Sequence, residues 1–136
     1  MINQVELTLP PLKRGFHRIE QKIMNALGDL PEKGMLNLFI KHTSAALMIN
    51  ENADPDVLAD MNSLLDKIAP ENAPFYYHTL EGSDDMPAHF KSAVMGVSLN
   101  IPITGHRLNL GMWQGIYLCE FRNYGGSRKI VLTVYY

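Results

Sequence analysis

The chain has only one cysteine, Cys119, among its 136 residues. One thiol forms no internal disulfide, so a stapled secreted scaffold is excluded and a reducing compartment is compatible. Tryptophan occurs once, at Trp113. Neither charge sign dominates: 12 basic residues stand against 14 acidic ones, for a net charge of −2. The clustered Lys/Arg surplus that a nucleic-acid backbone demands is missing, so no nucleic-acid partner is expected. No apolar run reaches the ~18 residues of a membrane span, so no membrane partner is expected either. The opening stretch MINQVELTLPPLKRGFH alternates and then meets Pro10-Pro11. That is not the apolar core of a signal peptide, and no transit peptide is expected. What is present is a 46% hydrophobic chain long enough to bury roughly 65–70% of its unfolded surface. A single domain over 1–136, in the cytoplasm, is the expectation.

The apolar pattern divides the chain into alternating and helical stretches. Val5 to Leu9 alternates with the period of a half-buried strand and is ended by Pro10-Pro11. Phe16, Ile19, Ile23, Leu27 and Leu30 recur in steps of three and four, which predicts a helix from Arg14 to Leu30. Leu36, Leu38, Ile40 and His42 share one face of a strand, and Ala45–Glu51 predicts another. Asp54-Pro55 starts a helix that Pro70 closes. A loop over 71–85 precedes a short helix from Met86-Pro87 to Met95. Val97–Ile103 is a strand interrupted by Pro102, which suggests an edge or a bulge. Met112–Phe121 and Lys129–Tyr136 are strands joined by NYGGS, read as a hairpin. Strands gather at the C-terminal end rather than alternating with helices. The expected class is therefore α+β, a largely antiparallel sandwich-like core with two main helices and one short helix.

Four clusters carry candidate chemistry. His42-Thr43-Ser44 lies at a strand end, followed by Asn50-Glu51 and Asp54; His42 is there either as a functional side chain on a rigid support or as a strand-end residue bonded to backbone. The stretch from His78 to His89 includes Glu81, Asp84 and Asp85. Imidazoles and carboxylates suit a transition metal, though helix-capping aspartates in a surface loop explain the same composition. Trp113-Gln114 is either a ring platform with a hydrogen-bonding neighbour or plain core, and Glu120 and Arg122, on the parity of Gln114, are either functional or a surface ion pair. Gly125-Gly126-Ser127-Arg128-Lys129 is either a phosphate-holding turn or a hairpin with solvated cations. Cys119, mid-strand, reads as a core residue.

Taken in order, HTSAALMINENADPDV, HTLEGSDDMPAH and GHRLNLGMWQGIYLCEFRNYGGSRKIVLTV closely resemble the YjbQ family, often described as secondary thiamine-phosphate synthase. The resemblance covers nearly the whole chain. It departs at His106, where the family usually has glycine, and at Met112, where it often has threonine. It implies a homotrimer and a site on which the histidines His42, His78 and His89 converge as metal ligands, with Zn²⁺ or Mg²⁺ as the divalent ion. It implies Glu51, Asp54, Gln114 and Glu120 as catalytic groups, and Trp113, Arg128 and Ser44 as substrate contacts. The implied reaction displaces pyrophosphate from hydroxymethylpyrimidine diphosphate by thiazole phosphate. Residue chemistry supports a metal-dependent, phosphate-handling site more broadly, because only Asp84-Asp85 resembles a Mg²⁺–diphosphate motif. The alternatives are a metal-dependent hydrolase of a small phosphorylated substrate and a non-enzymatic trimer that binds a small anion.

Overall fold

A computed structural model describes residues 1–136. Its strands are β1 (Ile2–Leu9), β2 (Gly15–Arg18), β3 (Lys33–Ile40), β4 (Ala45–Glu51), β5 (Ser98–Thr104), β6 (Arg107–Leu108), β7 (Gln114–Glu120) and β8 (Arg128–Tyr135). The helices are α1 (Glu20–Leu27), α2 (Pro55–Ile68) and α3 (Asp85–Met95). All strand pairs are antiparallel, in a five-stranded sheet ordered β1-β8-β3-β5-β6 and a three-stranded sheet ordered β2-β7-β4. No helix is long and apolar enough to cross a membrane. The α+β class with an antiparallel, sandwich-like core is the architecture observed.

The strand periodicities explain the layers. Leu36, Leu38 and Ile40 of β3 and Ile130, Leu132 and Val134 of β8 point one way and are buried. They meet Leu47 of β4 and Ile116 and Leu118 of β7, with Ile23 and Leu27 of α1 in the same cluster. The alternate residues of the small sheet, Ala46, Met48, Tyr117 and Cys119, face the other way and pack with Leu65 of α2 and Ala88 of α3. The small sheet is thus covered on both sides, which is why AALM reads as an unbroken apolar run. Burial pushes the Cys119 thiol up to about 12, in keeping with a core residue.

Three expectations about elements change. The helix expected over Arg14–Leu30 forms only from Glu20, because Gly15–Arg18 is captured as an edge strand against Tyr117–Glu120 of β7. The helical spacing of Phe16 and Ile19 is coincidental: Phe16 packs beside Phe121, while Ile19 joins the inner core. The NYGGS segment is not a hairpin, because β7 and β8 lie in different sheets and the segment carries the chain across the sandwich. α1, with 8 residues, is the shortest helix, and the last one runs to 11. Pro102 lies in β5, whose outer edge meets only the two residues of β6, so its missing N–H costs little there.

A buried cation ties α3 to α2. Lys91 is 1% exposed, and its Nζ lies 2.6 Å from Asp66, which also pairs with Arg14 at 3.2 Å. Burial pushes the Asp66 carboxyl up, but Lys91 and then Arg14 outweigh it and hold the group below the usual carboxylate range. A carboxyl depressed in the folded state adds stability above its unfolded pKa and loses it as pH falls through the folded value. The melting temperature should therefore fall on acidification below about pH 4. Asp66→Asn should lower stability at neutral pH and flatten that acid limb, as read by calorimetry across pH; an unchanged limb would rule this pair out as its source.

Candidate metal centre

The loop after α2 and the first turns of α3 bring four donors together. Gly82, at φ +105, turns the chain back so that His78 and Glu81 meet α3. Asp85 and His89 stand four residues apart on α3, which places them on one helix face. One donor atom from each of His78, Glu81, Asp85 and His89 lies within 4.8 Å of the others. His78 Nε2 is 2.5 Å from Asp85 Oδ2 and 3.1 Å from Glu81 Oε2. His89 Nε2 is 3.1 Å from the same Asp85 oxygen.

The surroundings orient each donor. His89 Nδ1 lies 2.9 Å from the Thr43 carbonyl, an acceptor, so Nδ1 carries a proton and donates it. In the neutral ring that leaves the Nε2 lone pair facing a carboxylate oxygen, an arrangement that requires a proton or a cation between them. Asp85 is 1% exposed, and its other oxygen, Oδ1, accepts from Arg122. Burial alone would push the Asp85 carboxyl up; hydrogen bonding with His78 and then with Glu81, together with the Arg122 charge, holds it below the usual range. The Asp85 hydrogen bond is the main cause that raises the His78 imidazolium. Two imidazoles and two carboxylates, each of His89 and Asp85 with an outer partner, form a donor set that suits a transition metal better than the all-oxygen shell of Mg²⁺.

Arg122 is the clamp of this centre. Its Nε donates to Asp84 Oδ2 at 2.9 Å, one terminal nitrogen donates to Asp85 and the other donates to the Glu81 carbonyl at 2.9 Å. Asp84 therefore holds Arg122 and the Asn123 N–H, and makes no side-chain cap to α3. Beneath the clamp, Glu120 is fully buried and bonds Arg128 at 2.8 and 2.5 Å, while Arg128 also reaches Ser44 Oγ at 3.0 Å. The Arg122 N–H donates to Glu120 Oε2, which links the two networks. Glu120 is thus neither a surface residue nor the guanidinium partner of Arg122.

The other expected site residues fall in different places. His42 shares a cleft with His89 but stands outside the four-donor group, because its Nε2 accepts the Lys129 N–H at 2.8 Å. Burial, followed by the Arg128 charge, holds the His42 imidazolium below its usual value, as an acceptor nitrogen requires. Glu51, Asp54, Trp113 and Gln114 lie at the opposite end of β4 and β7, six residues and ~20 Å along the strands from Ala45 and Glu120. Asp54 Oδ1 caps α2 by accepting the Asp56 N–H, and Gln114 Oε1 accepts the Gly111 N–H at 2.7 Å. Trp113 is 60% exposed, so it is not core. Ser44 and Arg128 sit in the buried pair described above. Glu81 and Asp85 belong to the carboxylates noted between His78 and His89 but not to the ligand set that the resemblance implies; the spacing of Asp85 and His89 on one helix is the signal that points to Asp85, and nothing local points to Arg122 as its partner.

Comparison with known proteins places the chain in a family. A family model described as UPF0047 protein YjbQ-like matches residues 5–136. The chain belongs to that family. It is 51% identical over 133 residues to the UPF0047 protein YjbQ of Salmonella typhimurium, covering 96% of each chain. It is 46% identical over 133 residues to the YjbQ protein of Escherichia coli O157:H7, again covering 96% of each. Among solved structures, a conserved hypothetical protein from Thermus thermophilus is similar at 36% identity with a TM-score of 0.82, covering 97% of this chain and 99% of that one. An uncharacterized YjbQ/UPF0047 protein from Clostridium acetobutylicum is similar at 36% identity with a TM-score of 0.81, covering 96% and 98%.

Proposed function

We propose that the chain is a divalent-metal-dependent hydrolase of a small phosphorylated substrate, with the ion held by His78, Glu81, Asp85 and His89. The observation that carries this reading is the His89 Nε2 facing Asp85 Oδ2 at 3.1 Å while Nδ1 is committed to the Thr43 carbonyl. When bound, the cation would supply Lewis-acid polarisation of a phosphoryl oxygen. The chain's own residues do the rest. Arg122 fixes the Asp85 carboxylate and the 81–85 turn. A cleft of about 300 Å³ beside the donors, lined by His78, Tyr76, Thr79, Ser83 and Met86, receives the substrate. Its size lies at the small end of ligand pockets. Its walls carry no Lys or Arg. The two nearby guanidiniums are occupied, Arg122 by Asp84 and Asp85 and Arg128 by Glu120. Charge on a phosphoryl group in this cleft would therefore be neutralised chiefly by the bound cation.

The thiamine-phosphate synthase-type transferase is the second reading. One observation favours it: Trp113 is exposed beside Gln114, as a ring platform must be. Within one chain that platform lies ~20 Å along the strand from Glu120, the end of β7 on which the Arg122 clamp of the metal donors stands, so this reading requires a neighbouring subunit to complete the site. A homotrimer is proposed with it, on the strength of large exposed apolar side chains at Phe75, Tyr77, Leu80, Phe90, Val94 and Met112. The cytoplasm is the proposed compartment, in keeping with a single buried thiol.

A panel of phosphoesters, assayed with zinc and after chelation, tests the first reading. Hydrolysis that is lost on chelation, restored by the metal and abolished in His89→Ala is expected. Thiamine phosphate formation from the two half-substrates, without phosphoester hydrolysis, would replace it with the second reading. Anion binding with no turnover of any substrate would leave a binding protein and overturn both.

A further inference from the structure

The glycine-rich segment after β7 is not used by the metal centre. It forms one wall of a separate cleft of about 460 Å³, which Asn123, Tyr124, Gly125 and Gly126 share with Leu12 and Lys13 of the opposite wall. We propose that this cleft is an anion site that takes the phosphate group of a small molecule, held by the backbone N–H groups of Tyr124, Gly125 and Gly126 and by the Lys13 ammonium. It goes beyond the hydrolase reading and stands without the metal.

Three observations meet here. The N–H groups of Tyr124, Gly125 and Gly126 make no hydrogen bond of good geometry within the fold, whereas the neighbouring Asn123 N–H is committed to Asp84. Successive free N–H groups on a turn with a left-handed residue form an anion-binding concavity, and Gly126 has φ +72. The turn is also rigidly supported. A Cβ at Gly125 would lie 2.5 Å from Glu120 Oε1 and 2.6 Å from an Arg128 nitrogen, so the backbone rests directly on the buried ion pair, and only glycine fits. The pair below is internally neutralised, so Glu120 does not repel an anion above it as a lone carboxylate would. On the other wall, Lys13 is exposed and makes no ion pair with any carboxylate of the chain. Its backbone is held: His17 Nε2 donates to the Lys13 carbonyl at 2.5 Å, which gives His17 a role in shaping this wall. A cleft that combines unused N–H donors with one free ammonium and has no carboxylate among its lining residues recognises a phosphate rather than a cation or an apolar group.

Amide chemical-shift titration of the full chain with inorganic phosphate, and separately with pyrophosphate, tests the proposal. Performing it in excess chelator keeps the metal centre silent, so failure here and failure of the hydrolase reading are distinguishable. Saturable shifts at Tyr124, Gly125 and Gly126 are expected, and Lys13→Gln should weaken binding on the order of tenfold, the loss of one charge-assisted contact. Lys13 is exposed, so this variant should keep the wild-type amide spectrum elsewhere. Shifts confined to His78, His89 and their neighbours would overturn the proposal. So would loop shifts that do not saturate, or an affinity that Lys13→Gln leaves unchanged.

Discussion

Glu120→Ala is expected to lower the unfolding free energy by about 3–5 kcal/mol, the penalty for leaving a buried partner charge uncompensated. Glu120 is 0% exposed and Arg128 4%, and two hydrogen bonds join them. Removing the carboxylate leaves the guanidinium with only the Ser44 hydroxyl and carbonyl as acceptors. It also frees the Arg122 N–H and undermines the floor on which Gly125 rests. In urea the midpoint should fall sharply while the slope stays constant, since the surface exposed on unfolding is unchanged. Replacing both members with apolar residues of similar volume should recover much of the loss, because no charge is then stranded. A loss under about 1 kcal/mol in the single variant would mean that the pair is solvated in solution as a surface bridge is.

The second large effect concerns Asp85. Asp85→Asn is expected to weaken zinc binding by at least about a hundredfold, more than the 10–100-fold typical of an outer-shell partner. The amide keeps the shape of the carboxylate, and its oxygen still accepts from Arg122 in the position of Oδ1. Its NH₂ then points at His78 Nε2 and His89 Nε2, where Oδ2 now lies 2.5 and 3.1 Å away. Those donors satisfy the imidazole lone pairs and occupy the place of the cation. The fold should therefore persist while the metal is lost, with the melting curve in chelator close to the parent's. Calorimetric titration with zinc reads the affinity; a variant that binds zinc as the parent does would remove Asp85 from the ligand set.

How much of this was legible in the sequence depended on whether the deciding contact was local. Leu36, Leu38 and Ile40 declared their buried face by alternation, and Asp54-Pro55 declared the start of α2; both rest on neighbours within one element. β2 was illegible because its partner edge on β7 lies about a hundred residues away, and a register of four residues outweighed the helical spacing. The course of the chain after β7 was hidden for a related reason: Gly125-Gly126 is compatible with a hairpin, but the buried faces of β7 and β8 belong to opposite sides of one core. At the candidate site, His78 and His89 stood out by residue type. His42 stood out as well, yet its lone pair is taken by the Lys129 N–H, on the strand β8 that pairs with β3 in the same sheet but lies far along the chain. Arg122 was visible only as the neighbour of Glu120 in parity. That its three donor groups close around Asp84, Asp85 and the Glu81 carbonyl follows from the 81–85 turn folding against the end of β7.

Metal content of the purified chain tests the central claim most directly. The protein should be isolated without chelator, dialysed against zinc and then against metal-free buffer, and measured by elemental mass spectrometry beside a His78→Ala, His89→Ala double variant. About one divalent transition-metal ion per chain in the parent, and almost none in the double variant, is the predicted result. A parent chain that retains no metal, or a double variant that retains as much as the parent, would contradict the assignment of His78, Glu81, Asp85 and His89 as a metal centre.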